Sequence, residues 1–142
     1  VETITSFDGK VFYTQDTHGE DYLDTEEGRH LPVVHCIKGS EGWKIHPKIE
    51  KALLLKGATG IEKSTFGSEK LMGIIEKEVP EVESITLIGI CTDICVISNA
   101  MLAKAHFQNT PVTVISSACA GVTPESHENA LAAMKMCHIE IQ

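Results

Sequence analysis

Two cysteines four residues apart, in "GICTDICVISNA" (Gly89 to Ala100), are the clearest candidates for covalent chemistry in this chain. They lie between an apolar run ending in glycine and a segment that reads as the start of a helix. Three roles are open to such a pair: a redox or metal device, core filling, or a nucleophile at a helix N-terminus. Cys95 suits the last role. Backbone N–H groups at a helix start lack intrahelical partners and the helix dipole is positive there, so a thiolate is favoured. The same N–H groups could hold the oxyanion of a tetrahedral intermediate. Spacing alone does not separate this from a small buried hydrophobe, the commoner fate of a cysteine beside an apolar strand.

A second constellation is suited to a metal. Asp16 and His18 end a β-rich run, Glu27 follows in an acidic stretch, and His35 comes after it. One aspartate and two histidines, completed by a carboxylate or water, suit zinc, iron or manganese. Taken singly, an Asp-x-His pair is more often a hydrogen-bonding unit of a loop.

The elements that must position these groups alternate along the chain. Lys10 to Asp16 is strand-like after the turn signal Asp8-Gly9, and a polar loop runs from Thr17 to about Arg29. A short helix is expected near Pro47 to Leu53, with a turn and short strand over Gly57 to Lys63. Ser68 to Val79 places Leu71, Ile74 and Ile75 on one helical face, with Pro80 as the stop. "SITLIGI" reads as a strand covered on both faces, Cys95 to Phe107 as a buried helix, and "PVTVISSAC" as an interior strand. Thr123-Pro124 caps a helix reaching about Met136, and "HIEI" is a last short strand. Such alternation predicts an α/β domain with a mostly parallel sheet, whose sites lie beyond the carboxyl ends of strands.

Composition narrows the function. The chain has 142 residues, a single-domain length, and a formal charge of −8, with no basic cluster to attract a nucleic acid. Its apolar runs are too short to span a bilayer, and its first ten residues have neither a basic start nor an apolar block. Five cysteines without scaffold spacing predict reduced thiols and a cytoplasmic protein.

"GICTDICV" resembles the Gly-x-x-Thr-Asp-x-Cys-Val signature of the isochorismatase-like cysteine hydrolases, which include the nicotinamidases. "TQDTH", "LPVVHCIKGSEGW", "EKSTFGS" and "SACAGVTPESHENAL" resemble further segments of that superfamily in the same order. The resemblance implies a three-layer Rossmann-like fold with helices flanking a mostly parallel central sheet. It also implies Cys95 as nucleophile and Lys63 as the cation that favours its thiolate. A cis peptide at Ile90–Cys91 is implied, with the Cys91 and Cys95 N–H groups as the oxyanion hole. Asp16, His18 and His35 become metal ligands. Nicotinamidases commonly supply another histidine from the intervening loop, and Glu27 is chosen for that place from Asp24, Glu26, Glu27 and His30. The cofactor implied is a divalent metal, zinc before iron or manganese, anchoring the substrate rather than generating a hydroxide nucleophile.

The activity implied is hydrolysis of a small amide through a cysteine thioester, with nicotinamide the first substrate to try. Isochorismate, a carbamoyl compound or a ureido acid is the alternative, and a non-catalytic metal-binding module is a third reading. The bulky aromatic that nicotinamidases place before the Pro-x-His segment is replaced here by Leu31 or Pro32, so Leu31, Phe66 and Tyr22 are expected to wall the substrate. Family analogy also implies a homo-oligomer. The family's catalytic aspartate belongs to a first strand with an Asp-x-Gln-x-Asp-Phe-like motif, which residues 1–142 do not contain. The sequence is therefore expected to be one domain lacking its first βα unit, part of a longer protein.

Overall fold

The computed structural model describes residues 1–142, and the chain divides into two compact units, Val1–Thr65 and Phe66–Gln142. No helix is long and apolar enough to cross a membrane.

In the first unit, helix α1 (Glu2–Ser6) leads to strand β1 (Phe12–Asp16). The expected irregular loop after it is in part helical: a 3-10 turn at Tyr22–Asp24 and helix α2 (Glu26–His30). The cause is local. Thr25 caps α2, its hydroxyl accepting from the Gly28 N–H at 3.0 Å and donating to the Tyr22 carbonyl at 2.6 Å, and Glu26 and Glu27 suit the positive end of the dipole. Gly28 is needed there, because a Cβ would lie 2.0 Å from the Tyr22 carbonyl oxygen. Helix α3 (Pro47–Leu55) then crosses to strand β2 (Thr59–Lys63), which pairs parallel with β1. Their register sets Asp16 opposite Lys63. Alternation along β2 buries Ile61 and Lys63 on one face and exposes Gly60 and Glu62 on the other.

The second unit has a parallel three-stranded sheet in the order β3-β4-β5: β3 (Ile85–Ile90), β4 (Val112–Ala120) and β5 (Glu140–Ile141). Helices α4 (Glu69–Glu78), α5 (Ile97–His106) and α6 (Pro124–Met136) complete it. Leu71, Met72 and Ile75 of α4, Ala100 and Ala103 of α5, Val112 and Val114 of β4, and Leu131 and Met134 of α6 form its buried core. The expected α4 face thus gains Met72, while Ile74 is only half-buried.

Two expectations for this unit are corrected. Strand β3 is half-buried along its length and ends on Ile90 at 74% exposure, because it is the outermost strand of its sheet. The helix expected from Cys95 begins at Ile97, after a π-helical turn over Thr92–Val96. The register of β3 on β4 slips between Leu87 and Gly89, and Gly89 takes a φ of +131°, which favours glycine.

Candidate metal centre and nucleophilic turn

Strand β1 ends with Asp16, and beyond it His18 forms an isolated parallel bridge to Ile37. The His18 N–H donates to the Cys36 carbonyl at 2.9 Å, and the Lys38 N–H donates to the His18 carbonyl at 3.0 Å. This bridge returns the segment after the loop to the strand end, and His35 arrives with it. Trp43 braces the same return: its indole N–H donates to the Thr17 hydroxyl at 2.9 Å, and its carbonyl accepts from Gln15 Nε2 at 2.7 Å. The capped α2 brings in Glu27 from the other side.

The four ligand atoms of Asp16, His18, Glu27 and His35 lie within 4.8 Å of one another. His18 Nε2 is 3.6 Å from Asp16 Oδ2 and 3.8 Å from Glu27 Oε1; His35 Nε2 is 3.9 Å and 3.7 Å from the same two oxygens. Metal bonds near 2.1 Å would place tetrahedral donors about 3.4 Å apart, close to these spacings. His18 Nε2 is buried and has no hydrogen-bond partner, a cost that a cation would remove. His35 Nδ1 lies 2.7 Å from the Val33 carbonyl, which can only accept, so Nδ1 donates to it and Nε2 faces the carboxylates. The donor set of two imidazoles and two carboxylates fits a divalent metal.

Tyr22 has no exposed surface and stands behind the imidazoles, with ring centroids 4.8 Å from His18 and 4.9 Å from His35. It therefore lies behind the imidazoles with no surface to wall a substrate, and its hydroxyl donates to the Leu31 carbonyl at 2.9 Å. Burial, then the charges of Glu27 and Asp16, push its phenol above the ordinary value. Leu31 keeps 48% of its surface exposed, as do Val33 and Val34 to a slightly greater degree. Lys63, with a side chain only 4% exposed, donates from Nζ to Asp16 Oδ1 at 2.6 Å.

In the second unit, Cys91 and Cys95 are both half-buried. The Ile90–Cys91 peptide is cis. Cys95 belongs to the π-helical turn that precedes α5, beyond the carboxyl end of β3. Asn99, which carried no signal in the sequence beyond being polar in an apolar helix, is 5% exposed and donates to the Cys95 carbonyl at 2.8 Å. Its Oδ1 accepts the Ser68 N–H at 3.0 Å. Asp93 orders the turn: its two oxygens lie 3.2 and 3.1 Å from the Val122 N, whose N–H they accept. The Ser126 hydroxyl first, then the Val122 N–H and the nearby His127, hold its carboxyl below the usual value, against an opposing desolvation. Phe66 is 45% exposed, and its carbonyl accepts from Asn99 Nδ2 at 3.3 Å.

The family model for the isochorismatase domain matches residues 1–141. The chain belongs to the isochorismatase family. Among solved structures, this isochorismatase-family chain is similar to a nicotinamidase/pyrazinamidase of Bacillus subtilis, with 26% identity and a TM-score of 0.78 over 93% of this chain and 74% of that one. It shares its fold with a zinc complex of the Pyrococcus horikoshii pyrazinamidase (24% identity, TM-score 0.75, 94% of this chain and 75% of that one). An isochorismatase-like hydrolase of Alkaliphilus metalliredigens shares it too (22%, 0.77, 99% and 74%). No curated protein matches the chain significantly. The protein is thus an isochorismatase-superfamily hydrolase, structurally close to nicotinamidases, with an α/β fold of parallel strands flanked by helices.

Proposed function

We propose that this hydrolase is a metal-dependent cysteine amidohydrolase acting on a small amide, with nicotinamide as the leading substrate. The observation that carries the reading is the cluster of Asp16, His18, Glu27 and His35 around an orphaned His18 Nε2. Among the similar structures, a pyrazinamidase is in complex with zinc, which supports a metal in this role. Zinc held by these four residues would act as a Lewis acid that anchors a heteroaromatic nitrogen or carbonyl.

The covalent chemistry belongs to Cys95. Its sulfur attacks the amide carbonyl, a carbon–sulfur bond forms, and the carbon–nitrogen bond breaks. The thiol proton leaves on the nitrogen as ammonia, and water then hydrolyses the thioester to the acid and restores the thiol. The N–H groups of Cys91 and Cys95 are assigned to the oxyanion. Lys63 is assigned the stabilisation of negative charge, and Leu31 and Phe66 are assigned to apolar contact with substrate.

The test is ammonia release from nicotinamide by zinc- or manganese-loaded protein, with Cys95→Ser as control. Release that disappears in the variant supports the proposal. Turnover of isochorismate or a ureido acid with nicotinamide left intact would move the protein to another branch of the superfamily.

A further inference from the structure

Cys95 lies in a turn with an unusual backbone. The Val96 N–H reaches back five residues to the Cys91 carbonyl at 3.0 Å, and the Ile94 N–H reaches the same oxygen at 3.2 Å. A π-helical turn is wider than an α-helical one and is rare, so its persistence calls for support from elsewhere in the fold.

That support comes from residues about thirty positions downstream. Thr92 has no exposed surface, and its hydroxyl is hydrogen-bonded to His127 Nδ1 at 2.8 Å. The next residue, Asp93, takes the Val122 N–H. Val122 lies in the connection from β4 to α6, and His127 is the fourth residue of α6. The connection is packed tightly: a Cβ on Gly121 would sit 2.9 Å from the His127 Cβ, so the imidazole has little room to withdraw. Helix α6 is in turn fixed by its own capping box, with Thr123 Oγ1 accepting the Ser126 N–H and Ser126 Oγ accepting the Thr123 N–H, each at 3.0 Å.

We infer that His127 and Asp93 form a clamp between α6 and the π-helical turn, and that this clamp sets the position of the Cys95 sulfur. His127 is the main positioning residue, because it satisfies a hydroxyl that has no access to water. Asp93 holds the same turn one residue further on. Neither acts on substrate directly. The inference rests on Cys95 being the nucleophile, as proposed above.

The test uses the full chain carrying His127→Leu, His127→Asn or Asp93→Ala. Two quantities are read: amide hydrogen exchange at Ile94 and Val96, and kcat and KM for ammonia release from nicotinamide. Asparagine places a polar atom near the position of Nδ1; leucine does not. Exchange in His127→Leu is expected to accelerate about tenfold, since a buried hydroxyl has lost its partner, and kcat to fall with KM little changed. His127→Asn is expected to recover most of both effects. Unchanged exchange in His127→Leu, or equal damage in the asparagine and leucine variants, overturns the clamp. Should His127→Leu fail to fold, Asp93→Ala carries the same expectations and the same overturning result. Accelerated exchange together with a wild-type protein that releases no ammonia supports the clamp and instead counts against the amidase reading.

Discussion

Lys63 and Asp16 stand opposite each other in the parallel register of β1 and β2, and the lysine ammonium meets the aspartate carboxylate at 2.6 Å. The lysine takes Oδ1, while Oδ2 faces His18 and His35. One carboxylate thus serves a buried cation with one oxygen and the candidate metal centre with the other. Removing one partner of a largely buried pair leaves a charge without compensation. Lys63→Met is expected to destabilise the metal-free protein by about 1–3 kcal/mol, less than a fully buried pair because Asp16 is partly solvated. Zinc should recover part of the loss by neutralising Asp16. Urea unfolding with and without zinc measures both, and equal losses in the two conditions would show that Asp16 does not serve the metal.

Metal binding should stabilise the fold in proportion to occupancy. At a zinc concentration of about 100 Kd, the gain is roughly 2.7 kcal/mol, or a rise in Tm of about 5–10 °C for a chain of this size. His18→Ala is expected to abolish that rise, and Glu27→Gln to reduce it. Thermal melts paired with competition against a chromophoric chelator follow both. A wild-type Tm indifferent to zinc would remove the metal from the proposal.

The cysteines should differ in reactivity. Burial raises the thiol pKa of Cys119, so at neutral pH it holds less thiolate than an ordinary thiol and reacts faster only as pH climbs beyond the usual range. Cys95, as the proposed nucleophile, is expected to be alkylated by iodoacetamide at pH 7 at least about tenfold faster than Cys119. Peptide mapping by mass spectrometry gives the rates, with exposed Cys137 as an internal reference.

Asp93 gives a pH-dependent contribution of known sign. Its carboxyl is held below the ordinary value in the folded state, so its stabilising effect is complete above the unfolded value of about 3.9. The effect is lost as pH falls through the lowered folded value. Asp93→Asn is therefore expected to melt below wild type at pH 7, with the gap closing as the buffer is taken well below pH 4. Parallel melts across that range test this; a gap that widens in acid contradicts it.

Much of what places the candidate residues could be read from the sequence because it is local. Asp16 and His18 close a run of strand-forming residues, the Gly89–Val96 motif lies between a strand and a helix, and Thr123-Pro124 caps a helix. Periodicity and capping act within one or two turns, so they are visible along a few residues. Where strands end also follows from such local signals, which is why both candidate sites could be placed at carboxyl ends.

Tertiary structure decided the remainder. Four acidic or basic residues could have joined Asp16, His18 and His35, and the capped α2, docked closely through Gly28, is what turns Glu27 toward them. The register of two parallel strands, 47 residues apart at this point, is what joins Lys63 to Asp16. Packing put Tyr22 behind the imidazoles and left β3 half-covered at the edge of its sheet. The contact of His127 with Thr92 spans 35 residues. Register, close approach and hydrogen bonds between distant segments depend on how whole elements pack, and no short window of sequence contains that information.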